Sequence, residues 1–170
     1  MMSRSVLMIF GMMAVASCVA LMPARASSSD EAAIKALEAQ FAKAFNAKDI
    51  DAIMKVYVPD DSLLVFDVVP PRQYTGAKAY RKDWESFLGM FKGPVKFELN
   101  DLHVFASGAT GYGYSIQHVS GTDTKGQPFD LTVRVTDGYR KVNGRWLIGH
   151  EHISVPVDLE TGKPDLMSKP

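Results

Sequence analysis

Apolar residues recur at helical spacing in the first half of the chain and alternate with polar ones in the second. Ile34, Leu37, Phe41, Ala44 and Phe45 predict an amphipathic helix to about Asn46, entered through Ser28-Ser29-Asp30-Glu31, which fits a capping box. Asp49 can cap a shorter second helix carrying Ile50, Ile53, Met54 and Tyr57, and Pro59-Asp60-Asp61 ends it because proline cannot continue the hydrogen-bond ladder. Residues 62–69 form an apolar, β-rich run broken only by Asp67 and stopped by Pro70-Pro71. After Thr75-Gly76, the residues Ala77, Tyr80, Trp84, Phe87, Leu88 and Phe91 predict a third helix, closed by Gly89 and Gly93-Pro94. From Val95 onward strands dominate: 95–99 continuing past a bulge at Asn100-Asp101 into 102–106, then 112–119, 129–142 and 145–155. The order predicts an α+β fold, a curved antiparallel sheet wrapped around helices on one side.

The last two strands flank Asn143-Gly144, a strong hairpin signal because both central residues of a type I′ turn need positive φ. A tight turn sets Val142 opposite Arg145, Tyr139 opposite Ile148, Asp137 opposite His150 and Val135 opposite His152. Opposed residues share a face. Val133, Val135, Tyr139, Trp146 and Ile148 then make one apolar face with Asp137, His150 and His152 set among them. Arg134 and Glu151 fall on the other face, near enough to form an ion pair. An acid and two imidazoles on an apolar face must be paired, solvated in a cavity, or costly. Either Asp137 and His150 satisfy each other across the strands, or the trio marks a ligand site. Asp67 is the second anomaly: it is a strand-end acid reaching water, or a desolvated base with a raised pKa. The stripe containing Trp84 is core, with Trp84 itself facing a cavity. Tyr112, Tyr114, Ile116 and His118 share one face of their strand.

Charge and composition narrow the classes. The 170 residues carry 19 basic and 19 acidic side chains with no basic run, which argues against nucleic acid as a partner. Arg4, the apolar run over 6–22 and Ala24-Arg25-Ala26 fit a cleavable signal peptide over 1–26. Periplasmic or secreted localisation follows, without a membrane span. Val15-Ala16-Ser17-Cys18 is the rival motif, a lipoprotein signal that would anchor the chain through Cys18. Cys18 is the single cysteine, so the remaining domain of about 144 residues holds itself together by packing rather than disulfides. The polar, proline-bearing residues 158–170 are expected as a poorly ordered tail after a domain over 27–157.

Several motifs agree with one family. Tyr57-x-x-Asp60-Asp61, Phe66-Asp67, Tyr74-x-Gly76 and the strand Gly144-Arg145-Trp146-Leu147-Ile148-Gly149-His150-Glu151-His152-Ile153-Ser154 resemble the nuclear-transport-factor-2-like (NTF2-like) superfamily. Within it the chain is similar to SnoaL-like and ketosteroid-isomerase-like proteins over roughly residues 30–157. The resemblance implies an NTF2-like cone, a strongly curved antiparallel sheet packed on three N-terminal helices, and a homodimer. It also implies a pocket for a small, partly apolar organic ligand. Ketosteroid isomerase uses an aspartate base with a tyrosine and a protonated aspartate as oxyanion hole. Asp67 lies within a residue of the base, whereas Phe41 and Phe45 stand where the first-helix tyrosine is expected. The last strand also looks like the association domain of calcium/calmodulin-dependent kinases, but Asp137 replaces the arginine of that domain.

Two functional readings stand. One is a cofactor-independent isomerase, lyase or cyclase in which Asp67 or the Asp137–His150 pair moves a proton, while His152, Tyr112 or Tyr114 steadies an oxyanion and Tyr57, Trp84 and His118 help line the site. The other is a binding or assembly module that transforms nothing. A metal held by His150, His152 and Asp137 is a third and weaker reading, because H-x-H pairs are short motifs.

Overall fold

The computed structural model describes residues 28–168. The export segment expected over 1–26, with Cys18, lies outside the described residues. Helix α1 (Ser28–Asn46) buries Ile34, Leu37, Phe41, Ala44 and Phe45, the stripe its periodicity predicts. Both of its ends are tied to the sheet. Asp30 accepts hydrogen bonds from Lys141 Nζ (2.6 Å) and Trp146 Nε1 (3.0 Å), while the Asn46 amide makes two bonds with the backbone of Phe97. Helix α2 (Ile50–Met54) is capped as expected, Asp49 accepting from the Ala52 N–H at 2.9 Å.

Strands β1 (Leu64–Phe66) and β2 (Tyr74–Thr75) are short, and helix α3 (Ala77–Gly89) buries Tyr80, Trp84 and Leu88. Four long strands follow: β3 (Phe91–Ser107), β4 (Thr110–Asp123), β5 (Pro128–Val142) and β6 (Arg145–Ser154). The sheet order is β2-β1-β6-β5-β4-β3. One correction applies to the expected sheet: β1 runs parallel to β6, so the curved sheet is mixed rather than wholly antiparallel. β1 and β6 are distant in sequence, and no hairpin constrains their relative direction.

The register of the last hairpin decides where the site lies. Asn143 and Gly144 have φ of 50° and 78°, and Val142↔Arg145 through Tyr139↔Ile148 pair as predicted. Beyond that point Gly138 pairs with His150, leaving Gly149 as an extra residue on β6. A bulge of this kind exchanges the faces of everything after it. The Arg140 side chain occupies the space over Gly149, where a Cβ would stand 2.6 Å from Nε. Asp137 therefore opposes Glu151, and Val135 opposes Ile153. Asp137, Glu151 and Val135 are all buried.

The core lies between α1, α3 and the inner face of the sheet. Phe45 stacks on Phe97 (4.6 Å, 25°), and Phe41 meets Trp84, Tyr57 and Phe97 edge-on. Residues 155–168 make backbone contacts with one another and with β5: Asp165 N–H donates to Pro156 O (2.9 Å) and Leu166 O accepts from Thr132 N–H (2.8 Å), beyond the end of β6.

Candidate functional site

Two neighbouring regions carry the polar anomalies of the fold. The first is a cavity of about 290 Å³ between α3 and the inner face of the sheet. Phe45, Trp84, Phe87 and Phe97 supply aromatic wall; Val119, Leu131, Val133 and Ile153 supply aliphatic wall. Its polar members are Asp67, Asp83, Tyr80, Ser86, Gln117 and the Trp84 indole. The Trp84 Nε1–H is buried without a hydrogen-bond partner among the described residues. Such a donor marks a place that water or a ligand must complete.

Asp67 reaches this cavity because Leu63, Val65 and Asp67 alternate inward along and just past β1. Its Oδ1 accepts the Val68 N–H at 2.6 Å. Burial raises its pKa to about 6, aided by the negative charge of Asp83 and opposed by the backbone N–H groups of Val68 and Val69. Asp83, one turn of α3 from Tyr80, accepts a hydrogen bond from Tyr74 Oη at 2.6 Å. Burial, followed by that bond and the Asp83 charge, pushes the Tyr74 phenol up.

The second region lies deeper, behind Tyr80. Three carboxyl groups are buried there: Glu38 (1% exposed), Asp137 (2%) and Glu151 (3%). Tyr139 Oη donates to Glu38 Oε1 (2.8 Å), Tyr57 Oη to Glu151 Oε1 (3.0 Å) and Tyr80 Oη to Glu151 Oε2 (2.5 Å). The Tyr139 hydroxyl fits because Gly113 lies beneath it, where a Cβ would stand at 2.8 Å. Asp137 Oδ1 has no partner among the described residues, and none of the three acids joins an ion pair there. Burial without a cation favours the neutral acid. Glu38 rises to about 7 and Glu151 to about 8, in each case through burial and against the tyrosine bonds; Asp137 rises well above the carboxylate range through burial and its two acidic neighbours. Tyr80 joins the two regions: its ring is in the cavity wall and its hydroxyl is committed to Glu151.

The residues singled out in the sequence divide accordingly. Asp67 and Trp84 line the cavity. Asp137 and Tyr57 belong to the deeper carboxyl group. His150 and His152 do not face inward: the Gly149 bulge turns them to the outer face, where both rings meet Phe66 edge-on and His150 Nδ1 lies 2.8 Å from Leu64 O. The expected Asp137–His150 pair is therefore not formed, and a three-ligand set of Asp137, His150 and His152 is not assembled. Among the described residues no group of three or more metal-ligating side chains is brought together. Glu151, expected outside beside Arg134, is inside, and Arg134 is exposed. Tyr112 and Tyr114 stand half-exposed on the outer face, stacked on Phe105 and His103, while His118 bridges Glu98 (3.0 Å) and Asp130 (2.7 Å) there.

Asp83, Tyr80 and Gln117 of the cavity, and Glu38 and Glu151 behind it, went unnoticed in the sequence as site residues. Glu38 had a signal: it sits on the apolar stripe of α1 between Ile34 and Phe41. Glu151 was hidden by the bulge, for which Gly138 and Gly149 inside strands were the available sign.

A SnoaL-like domain model matches residues 34–158. The chain belongs to the SnoaL-like family. An NTF2-like protein of unknown function from Pseudomonas putida KT2440 is 33% identical over 85% of this chain and 99% of its own, with a TM-score of 0.76. Two more distant structures share the fold. A nuclear transport factor 2-like superfamily protein from Salmonella enterica serovar Typhimurium is 16% identical, with a TM-score of 0.71 over 80% of this chain and 97% of its own. A ketosteroid isomerase-like protein from Erwinia carotovora is 19% identical, with a TM-score of 0.64 over 75% of this chain and 97% of its own. Among curated proteins none matches the chain. This SnoaL-like domain has no described helix long and apolar enough to cross a membrane.

Proposed function

We propose that this SnoaL-like domain binds a small, partly apolar organic molecule in the 290 Å³ cavity, and that Asp67 is the acid/base group facing it. The observation that carries this reading is a half-buried carboxyl with a pKa of about 6 in a predominantly apolar and aromatic wall. As a carboxylate, Asp67 takes a proton from an acidified carbon of the ligand; returning it to a neighbouring carbon is isomerisation, giving it to a hydroxyl that departs as water is a lyase step, and giving it to the oxygen of a ligand carbonyl that the carbanion attacks is cyclisation, none of which needs a cofactor. The unpartnered Trp84 N–H and the Gln117 amide are the donors at hand for charge developing on a ligand oxygen.

A second reading is a binding module that transforms nothing. It is favoured by the commitment of the Tyr80 hydroxyl to Glu151, which leaves no phenol among the described residues of the wall free as an oxyanion donor. Turnover separates the two readings, but both require the cavity. A thermal-shift screen of small ring compounds against wild type and Leu131→Trp tests it. Hits should stabilise wild type by several degrees and lose their effect when the indole fills the space; hits indifferent to Leu131→Trp contradict the assignment.

The proposal extends to location and assembly. The signal-like residues 1–26 support export to the periplasm or medium. The outer sheet face supports a homodimer. Its Phe105, Tyr112 and Tyr114 are 43–51% exposed and stacked into one aromatic patch, an arrangement that marks association surfaces.

A further inference from the structure

We propose that the cavity selects a ligand carrying a protonated amine on an apolar ring, the ring lying among the aromatic side chains and the ammonium between Asp67 and Asp83. The inference rests on the reading of the cavity as a ligand site and adds the sign of the ligand's charge. Among the described residues the wall contains two charged side chains, Asp67 and Asp83, and no lysine, arginine or histidine. An anion entering it meets two carboxylates in a poorly solvated space, and a neutral ring leaves them unbalanced. A cation gains from both acids, in a wall that also carries the aromatic side chains Phe45, Trp84, Phe87 and Phe97.

The acids are positioned for this. Asp83 Oδ1 is fixed by Tyr74 Oη at 2.6 Å and Asp67 Oδ1 by the Val68 N–H at 2.6 Å, so neither is a swinging surface side chain. The other groups near them do not supply the missing charge. Tyr80 is a phenol bound to Glu151, and Glu151 is an acid. Lys78 and Lys82 line an open groove that shares Asp83 and Ser86 with the cavity wall, and both are exposed to water, where their charge is screened. The Asp83 charge, second to burial, keeps the Asp67 carboxyl protonated up to a pH of about 6, and a bound ammonium reverses that preference.

Three probes of one shape test the charge: benzylammonium, benzyl alcohol and benzoate, titrated calorimetrically into the purified protein at pH 7.5 and low salt. Benzylammonium should bind at least about tenfold more tightly than benzyl alcohol, the worth of one charge-assisted contact, and benzoate should not bind. Its affinity should fall several-fold at pH 5, where Asp67 gains its proton, and again with added salt, while benzyl alcohol is unaffected by either. Asp83→Asn should narrow the preference for benzylammonium over benzyl alcohol. If that variant fails to fold, the pH and salt dependence of wild type carries the test. Binding of benzyl alcohol or benzoate as tight as that of benzylammonium overturns the charge assignment and leaves the cavity standing. No heat or competition from any of the three contradicts the cavity reading and the inference with it.

Discussion

Glu38, Asp137 and Glu151 set the pH behaviour of the fold. Their folded pKa values are raised, to about 7 for Glu38, about 8 for Glu151 and higher for Asp137, above ordinary carboxylates near 4. Between those limits the folded state holds more protons than the unfolded one, so the stability these acids contribute is fully present below about pH 4 and is lost progressively as pH rises towards 8. His118, held up by Asp130 and Glu98, moves in the same direction, so the wild-type slope alone does not identify the acids. Glu151→Gln separates them. The variant should cost about 1 kcal/mol at pH 5, where an amide replaces a neutral acid between two tyrosines, and should fall less steeply towards pH 8. Melting temperatures measured across that range give the answer, and parallel curves for variant and wild type would contradict it. At this scale the sequence was half legible. Asp67 stands alone in an apolar run and Asp137 interrupts an alternating strand, so both were visible; Asp83 looks like one more polar residue on α3, because its role depends on a neighbour, Tyr74, in another element.

Among the elements, β6 is where pattern and structure part. The three helices follow from periodicity and capping, except that α2 stops at Met54, before Tyr57, and α3 at Gly89, so that Phe91 opens β3; the Asn143-Gly144 turn and the pairing from Val142↔Arg145 to Tyr139↔Ile148 follow from turn chemistry. Register is then carried forward by counting, and a single inserted Gly149 inverts the count for Glu151, His150 and His152. Periodicity cannot reveal such an insertion, since both faces of β6 remain partly apolar. Gly149 makes room for the Arg140 side chain, whose Nη2 donates to Ser62 Oγ at 2.6 Å. Gly149→Ala should therefore displace Arg140 and cost about 1–2 kcal/mol in urea unfolding. Arg140→Ala alone should cost less, and the double variant should recover part of the loss. Strictly additive costs would show that the glycine is required for another reason.

For the whole molecule, the sheet separates two kinds of surface. Its inner side meets α1 and α3 around the core, the cavity and the buried acids; its outer side carries Phe105, Tyr112 and Tyr114 in a stacked patch flanked by the His118 ion pairs. The homodimer proposed above buries those rings in its interface. Tyr114→Glu should shift sedimentation from dimer to monomer at micromolar concentration without unfolding the domain. A wild-type protein that sediments as a monomer at all concentrations would remove this part of the account. The family fold was legible at this scale from element order and a few motifs. The split between inner and outer residues was not, since it depends on the curvature and the bulge.

The claim that matters most is that the ligand site is built around Asp67 and α3, not around the last-strand histidines. Thermal shifts of wild type, Asp67→Asn and His150→Ala with the same ring-compound hits test it directly. The account predicts that hits stabilise wild type and His150→Ala equally and lose most of their effect on Asp67→Asn. Hits that fail with His150→Ala yet persist with Asp67→Asn would contradict it.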